Sequence, residues 1–288
     1  MHFVNAKGIL SAHNGMNVYR GCTHGCIYCD SRSLCYQMNH DFEDIEVKKN
    51  APQLLEEALR RKRYKCMIAT GAMCDPYMPC EEQLRITRQC FEKIEAYGFG
   101  VSFQTKSNLF LRDIELLKSI NRRSKCVVEM TLTTYDEALC RIIEPNVCTT
   151  RRRYEALKVC QEAGIPTVVW ITPLLPFIND TEENLRGVLD YCFDAGVKGV
   201  IFFHGGGMTL RAGDREYYYA ALDRHFPGLK ARYIQTYGDS YELPSPNGHL
   251  LTKLLHTLCR EHGVMCDNDE IFSYLYRLGD GAEQISLF

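Results

Sequence analysis

Asn17-Val18-Tyr19-Arg20-Gly21-Cys22-Thr23-His24-Gly25-Cys26-Ile27-Tyr28-Cys29-Asp30 places three cysteines in a C-x3-C-x2-C spacing, at the end of a short apolar run, Met16–Arg20. Three thiolates on one tight loop can each bind one iron of a cubane cluster. A [4Fe–4S] cubane then keeps one iron open for an exogenous ligand. Gly21 and Gly25 allow the backbone to fold closely around such a group. Zinc is the alternative, with Cys35 or His24 as a conceivable fourth ligand, although zinc sites more often pair C-x2-C units. Buried structural thiols are the bland reading.

Working outward, short apolar runs alternate with longer segments of helical spacing. Met16–Arg20, Cys66–Thr70, Gly100–Thr105, Cys126–Thr133, Thr167–Thr172 and Gly199–His204 read as strands. Their apolar character is continuous, as in parallel strands covered on both faces. Ala51–Lys62, Glu81–Tyr97, Arg112–Ile120, Arg152–Ala163 and Glu182–Ala195 read as helices, three of them followed by glycine at Gly98, Gly164 and Gly196. Glycine just past a helix is the expected C-cap. The alternation predicts an α/β fold, a barrel or partial barrel. The cysteine loop, placed after the first strand, would then sit at the carboxyl end, where active sites of such barrels gather. Beyond Gly205-Gly206-Gly207 the pattern changes, with His249–His262 reading as an amphipathic helix and Ile271–Leu278 as a short final one. The division expected is a core over 1–207 and a C-terminal, α-rich extension over 208–288.

Composition narrows the class. The chain has 288 residues, 45% of them hydrophobic and 24% charged, with a net charge of −2. This is ordinary for a globular protein and argues against polyanion binding by the molecule as a whole. No stretch approaches the ~18 apolar residues of a membrane helix, and Met1–Lys7 does not read as a signal peptide. A cytoplasmic protein with no membrane partner is expected. Fifteen cysteines are an odd and high number. In a reducing compartment they read better as metal ligands or small core residues than as disulfides.

The cysteine loop, with Tyr28 before its last cysteine, resembles the signature of the radical S-adenosylmethionine (SAM) superfamily. Further segments resemble the branch of spore photoproduct lyase and DNA repair photolyase-like proteins: Asp75-Pro76-Tyr77, Thr105-Lys106-Ser107, Glu144-Pro145, Arg153, and Pro173-Leu174-Leu175-Pro176 with Asn179-Asp180. The whole chain also resembles a bacterial subgroup called radical SAM mobile pair protein B. The resemblance implies a partial (β/α)6 TIM-like barrel and two cofactors, a [4Fe–4S] cluster and SAM. It implies that SAM is cleaved to a 5′-deoxyadenosyl radical that abstracts hydrogen from a substrate. An electron donor of flavodoxin or ferredoxin type is implied, and a partner radical SAM protein is suggested by the subgroup.

Residue by residue, the resemblance assigns Cys22, Cys26 and Cys29 to the cluster. Tyr28 falls where an aromatic lies near the adenine. Gly71-Ala72-Met73 falls where many members carry Gly-Gly-Glu for the methionine amine; the Glu is missing here, so only backbone contact is implied. Lys106 matches a lysine that contacts the SAM carboxylate, which suits a flexible ammonium at a strand end. Thr131 and Thr133 are candidates for ribose hydroxyl contacts. Cys74 is a candidate hydrogen donor, although the lyase's cysteine aligns with Ala72. Asp75 and Tyr77 are expected to line the pocket, with Tyr77 as a catalytic candidate.

Arg60–Lys65 and Arg151-Arg152-Arg153 are basic runs, and Tyr217-Tyr218-Tyr219 with Arg211 and Arg215 could form a stacking surface. Nucleic acid is therefore one substrate candidate, in a DNA lesion lyase or otherwise. A non-enzymatic Fe–S or zinc sensor is the competing class, distinguished by SAM turnover.

Overall fold

The computed structural model describes residues 1–203 and 205–279. Near the amino end lie β1 (His2–Val4), β2 (Gly15–Met16), β3 (Tyr19–Arg20) and β4 (Glu46–Lys48). The next strands are β5 (Met67–Thr70), β6 (Gly100–Thr105), β7 (Cys126–Thr131), β8 (Thr167–Trp170) and β9 (Gly199–Ile201), followed by β10 (Gly207–Thr209) and β11 (Glu242–Pro244). Six of them form one sheet in the order β2-β5-β6-β7-β8-β9, with every neighbouring pair parallel. This is the partial (β/α)6 barrel. The strand expected over Gly199–His204 stops at Ile201, and His204 lies outside the described residues, as does the 280–288 end of the extension.

The connecting helices are α1 (Ala51–Arg61), α2 (Glu81–Leu84), α3 (Ile86–Ala96), α4 (Ile114–Arg123), α5 (Glu137–Ile143), α6 (Thr150–Glu162) and α7 (Glu182–Asp194). Strand β7 shows why the barrel holds. All six of its residues are buried. Cys126, Val128 and Met130 face the core shared with α6 residues Leu157 and Cys160. Val127 belongs instead to the cluster inside the barrel. Period-two alternation thus supplies two apolar faces from one run. At the helix ends, Phe99 N–H reaches Ile94 O, Ile165 N–H reaches Cys160 O, and Val197 N–H reaches Cys192 O. Each closes a left-handed turn at the preceding glycine, as the C-cap reading requires.

Two expectations need correcting. Met16–Arg20 is not one strand: β2 joins the barrel, whereas β3 turns away and pairs antiparallel with β4, which is itself parallel to β1. Glu81–Tyr97 is not one helix. Arg85 adopts φ +52° and breaks it. The fully buried Glu81 carboxylate then accepts from the N–H groups of Ile86 (3.1 Å) and Thr87 (3.2 Å), capping α3. A carboxylate at the positive end of a helix stabilises the new start.

The extension contains α8 (Asp214–His225), α9 (Leu229–Tyr237), α10 (Gly248–His262) and α11 (Asn268–Tyr276). Leu251, Leu255 and Cys259 of α10 join the same core as Leu185, Val188 and Cys192 of α7. Ile271 and Leu275 of α11 pack inside the barrel with Met67, Val127, Val168 and Ile201. Met265 lies alongside β9, its N–H bonded to Lys198 O and its carbonyl to Val200 N–H. At the far side of the sheet, Leu10 bridges Met16.

Shared packing has a measurable consequence. Leu255→Ala is expected to cost about 2–5 kcal/mol in one cooperative transition. Far-UV dichroism and the fluorescence of Trp170, the sole tryptophan, should coincide in guanidinium unfolding. Separate transitions would show that the extension folds by itself.

Candidate functional site

The cysteine loop is built by its neighbours. Cys22 N–H donates to Phe42 O (2.9 Å) and Ile27 N–H to Ile143 O (3.0 Å). Asn146 donates its backbone N–H to His24 O (3.1 Å) and its Nδ2 to Thr23 O (2.9 Å). Gly21 has φ +86°, and a Cβ there would stand 2.4 Å from Phe42 O. Only glycine permits that approach.

The loop meets the carboxyl ends of β5, β6 and β7 around a cavity of about 110 Å³. Cys22, Cys26, Cys29, Tyr28, Gly71, Ala72, Cys74, Lys106 and Thr131 all line it. Burial pushes the Cys22 thiol well up and the Cys26 thiol up to about 12. Thiolates in such a place need a cation, so a metal that binds the deprotonated sulfurs offsets the cost of charging them. The donor set fits an iron–sulfur group. Cys35, one candidate fourth zinc ligand, is exposed, 3.0 Å from Arg211 Nη1, and does not line the cavity. His24 does line it, but its Nδ1 lies 3.5 Å from Asp75 Oδ2.

Lys106 is fixed through its main chain: its N–H donates to Asp75 Oδ2 (2.7 Å), and Cys148 Sγ donates to its carbonyl (3.2 Å). Its ammonium stands 5.8 Å from the Tyr28 ring centre and has no carboxylate partner within salt-bridge distance among the described residues. Burial pulls its pKa down, but the negative charge of Cys26 and Glu144 outweighs this and raises it. A cation is thus held beside the thiols with room for an anion. Asp75 is the local hub, also accepting from Tyr77 N–H (2.8 Å) and Thr105 Oγ1 (2.7 Å).

Beneath the loop lies a fully buried pair, Arg153 and Glu144. Arg153 also donates to Thr131 O (2.9 Å) and Cys148 O (2.8 Å). Glu144 accepts from the Tyr28 hydroxyl and from Thr133 Oγ1 (3.2 Å). Burial pushes the Glu144 carboxyl up, but the charges of Arg153 and Lys106 hold it below its ordinary value.

Four expected placements change. Tyr77 does not line either cavity. It is fully buried against Phe91, Phe103 and Phe110, its hydroxyl on Asp113 (3.2 Å). One residue past the turn at Asp75-Pro76, the chain already enters the helix-side core. Thr133 lies beyond the end of β7 and gives its hydroxyl to Glu144 rather than to the cavity. Arg153 is no surface cation, and Tyr218 is buried with its hydroxyl on Tyr233 (2.9 Å). Two supports of a nucleic-acid surface are therefore structural. Cys74 lines the small cavity, but its thiol donates to Tyr19 O (2.9 Å) and burial pushes it up to about 12.

A larger cavity of about 520 Å³ shares Tyr28, Cys29, Ser31, Ala72, Gln104 and Lys106 with the first. Trp170 and Phe203 also line it. Trp170 Nε1 donates to Glu129 Oε2 (2.8 Å), a carboxyl that burial pushes from 4.5 up to about 7. Glu129 is not among the residues expected from the sequence, although a lone carboxylate inside the apolar run Cys126–Thr131 is a visible signal.

Because the folded state holds the Glu129 proton more tightly than the unfolded chain, its contribution to stability is full below about pH 4.5 and is lost as pH rises through 7. Glu129→Gln should flatten that slope and gain up to about 3 kcal/mol at pH 8, read by urea unfolding across pH. Parallel pH profiles would sink this reading.

The sequence model of the radical SAM superfamily matches residues 16–189. An uncharacterised protein of Mycobacterium tuberculosis is 29% identical over 259 residues, covering 88% of this chain and 75% of that one. An uncharacterised protein of Methanocaldococcus jannaschii is 32% identical over 181 residues, covering 62% and 67%. A spore photoproduct lyase mutant solved with AdoMet and dinucleoside spore photoproduct is similar in fold, with TM-score 0.63 at 12% identity over 88% of this chain and 75% of that one. The chain belongs to the radical SAM superfamily, as an enzyme whose cofactors are a [4Fe–4S] cluster and S-adenosylmethionine.

Proposed function

We propose that Cys22, Cys26 and Cys29 hold the cluster, that Tyr28, Gly71, Ala72, Lys106 and Thr131 receive SAM, and that the substrate sits in the 520 Å³ cavity. The observation that carries this reading is the convergence on one cavity of three thiols, two of them buried, and a cation with no salt bridge among the described residues, the cavity sharing its lining with a larger one. When bound and reduced, the cluster with SAM supplies a 5′-deoxyadenosyl radical that abstracts hydrogen from substrate.

The chain's own residues bind and orient. Lys106 offers its ammonium to the SAM carboxylate. Tyr28, its hydroxyl tied to Glu144, presents a fixed ring face. Gly71 brings backbone to the cavity wall: a Cβ there would meet Gln104 O at 2.2 Å. Thr131 Oγ1, accepting from Gln104 Nε2 at 3.3 Å, offers a hydroxyl. Asp75 holds these parts in register. Cys74, its thiol donating to Tyr19 O, is better supported as a pocket thiol than as a hydrogen donor. An electron donor, of flavodoxin or ferredoxin type, completes the requirement.

For the substrate, Trp170, Phe203, Tyr28 and Tyr241 favour a group with a planar or apolar face. Asp30 and Glu242 at the same wall disfavour a run of phosphates. A DNA lesion lyase therefore draws support from the fold rather than from this cavity, and a peptide or small molecule suits the lining better.

Anaerobic reconstitution followed by dithionite and SAM should yield 5′-deoxyadenosine from the wild type and none from Cys26→Ala. A loaded cluster that leaves SAM uncleaved would overturn the proposal. Lys106→Ala should keep its iron but bind SAM about 10–100-fold more weakly, the worth of one charge-assisted hydrogen bond; Lys106→Arg should recover part of the loss. Unchanged SAM affinity in Lys106→Ala would remove the lysine from the site.

A further inference from the structure

Behind the cysteine loop, outside either cavity, one imidazole nitrogen each of His2 and His40 and a carboxylate oxygen of Glu46 lie within 4.8 Å of one another. The fold brings them together. His2 and Glu46 are register partners in the parallel pair β1–β4, so their side chains share a face. The His40 ring meets the His2 ring edge-on at 4.9 Å.

Each imidazole is oriented by a separate acceptor. His2 Nδ1 lies 2.9 Å from Asp44 Oδ2, and His40 Nδ1 lies 3.0 Å from Asp41 O. A backbone carbonyl only accepts, so His40 carries its proton on Nδ1. Its Nε2 is then a lone-pair donor toward a metal. That atom is buried and has no hydrogen-bond partner among the described residues. A buried nitrogen without a partner calls for water or an ion. Glu46 is likewise free of any salt bridge among the described residues, and its cross-strand neighbour Arg20 gives its guanidinium to Tyr36 O (2.7 Å) and Gln37 O (3.1 Å). Carboxylate–imidazole–metal relays are built this way, with the outer acceptor fixing the ring.

We propose that His2, His40 and Glu46 bind a divalent ion of the zinc class, separate from the cluster. Two imidazoles and one carboxylate select such an ion over magnesium or calcium, and three protein ligands leave a fourth position for water. The ion would clasp β1 to the 40–46 segment, whose Phe42 carbonyl receives Cys22 N–H.

The test uses cluster-loaded protein free of a polyhistidine tag, titrated with ZnCl2 and followed by metal content and calorimetry. One zinc equivalent beyond the iron is expected, with a rise in Tm of about 5 °C at a hundredfold excess over Kd. His40→Ala and Glu46→Gln should lose it by at least about 100-fold, and Asp44→Asn, which keeps all three ligands, should weaken it about 10–100-fold. Unchanged iron content and 5′-deoxyadenosine formation in Glu46→Gln would show that the variant is folded and the cluster intact. The same equivalent should persist in a chain with Cys22, Cys26 and Cys29 all changed to Ala, so failure here is separable from failure of the cluster assignment. No extra equivalent in the wild type, or retention of it by His40→Ala and Glu46→Gln, would overturn the proposal.

Discussion

The ion pair between Arg153 and Glu144 has no access to solvent, and the site is assembled around it. Burying two charges is costly, and the arrangement stands only because the remaining hydrogen-bonding capacity is used. Arg153 reaches two backbone carbonyls, one at the end of β7 and one at Cys148. Glu144 reaches Tyr28 on the cysteine loop and Thr133 beyond β7. One pair therefore sets a strand end, the start of α6 and the aromatic of the loop in a single frame. Replacing either member alone would leave the other charged and stranded.

Lys106 is arranged in the opposite way. Its backbone is secured on both sides, yet its ammonium has no salt bridge among the described residues. Arg153 is satisfied within the chain, whereas the Lys106 ammonium is proposed to meet the SAM carboxylate. The contrast separates a cation that builds the fold from one proposed to serve a ligand. Lys106 directly follows β6, whereas Arg153 lies in the first turn of α6 and reaches the end of β7 only through its side chain.

Much of the barrel was legible because its signals are local. Continuous apolar strands, amphipathic helices and glycines after helix ends need no knowledge of distant neighbours, and the cysteine spacing lies within eight residues. What was not legible depended on long-range contacts. The break at Arg85 is stabilised by Glu81, whose burial comes from Tyr19 and Arg112 as much as from its own helix. Tyr77 entered the core, against the expectation of a pocket residue, because Phe91, Phe103 and Phe110 from three other elements converge on it. The helices α8 and α9 are hard to read because few of their residues are buried, and these mix Asp214, Tyr218, Leu222 and Tyr233, which leaves little amphipathic contrast.

An incomplete barrel has two raw edges, and parallel strands with unpaired amides invite a second chain to add to them. Here both are spoken for. Met265 occupies the outer backbone groups beside β9, and Leu10 bridges the two-residue strand at the other margin. The segment between α10 and α11 therefore acts as a selvedge: it finishes the sheet without closing it. The mouth can stay wide enough for a cofactor and a substrate together, while the open side offers no template for growth into a fibre.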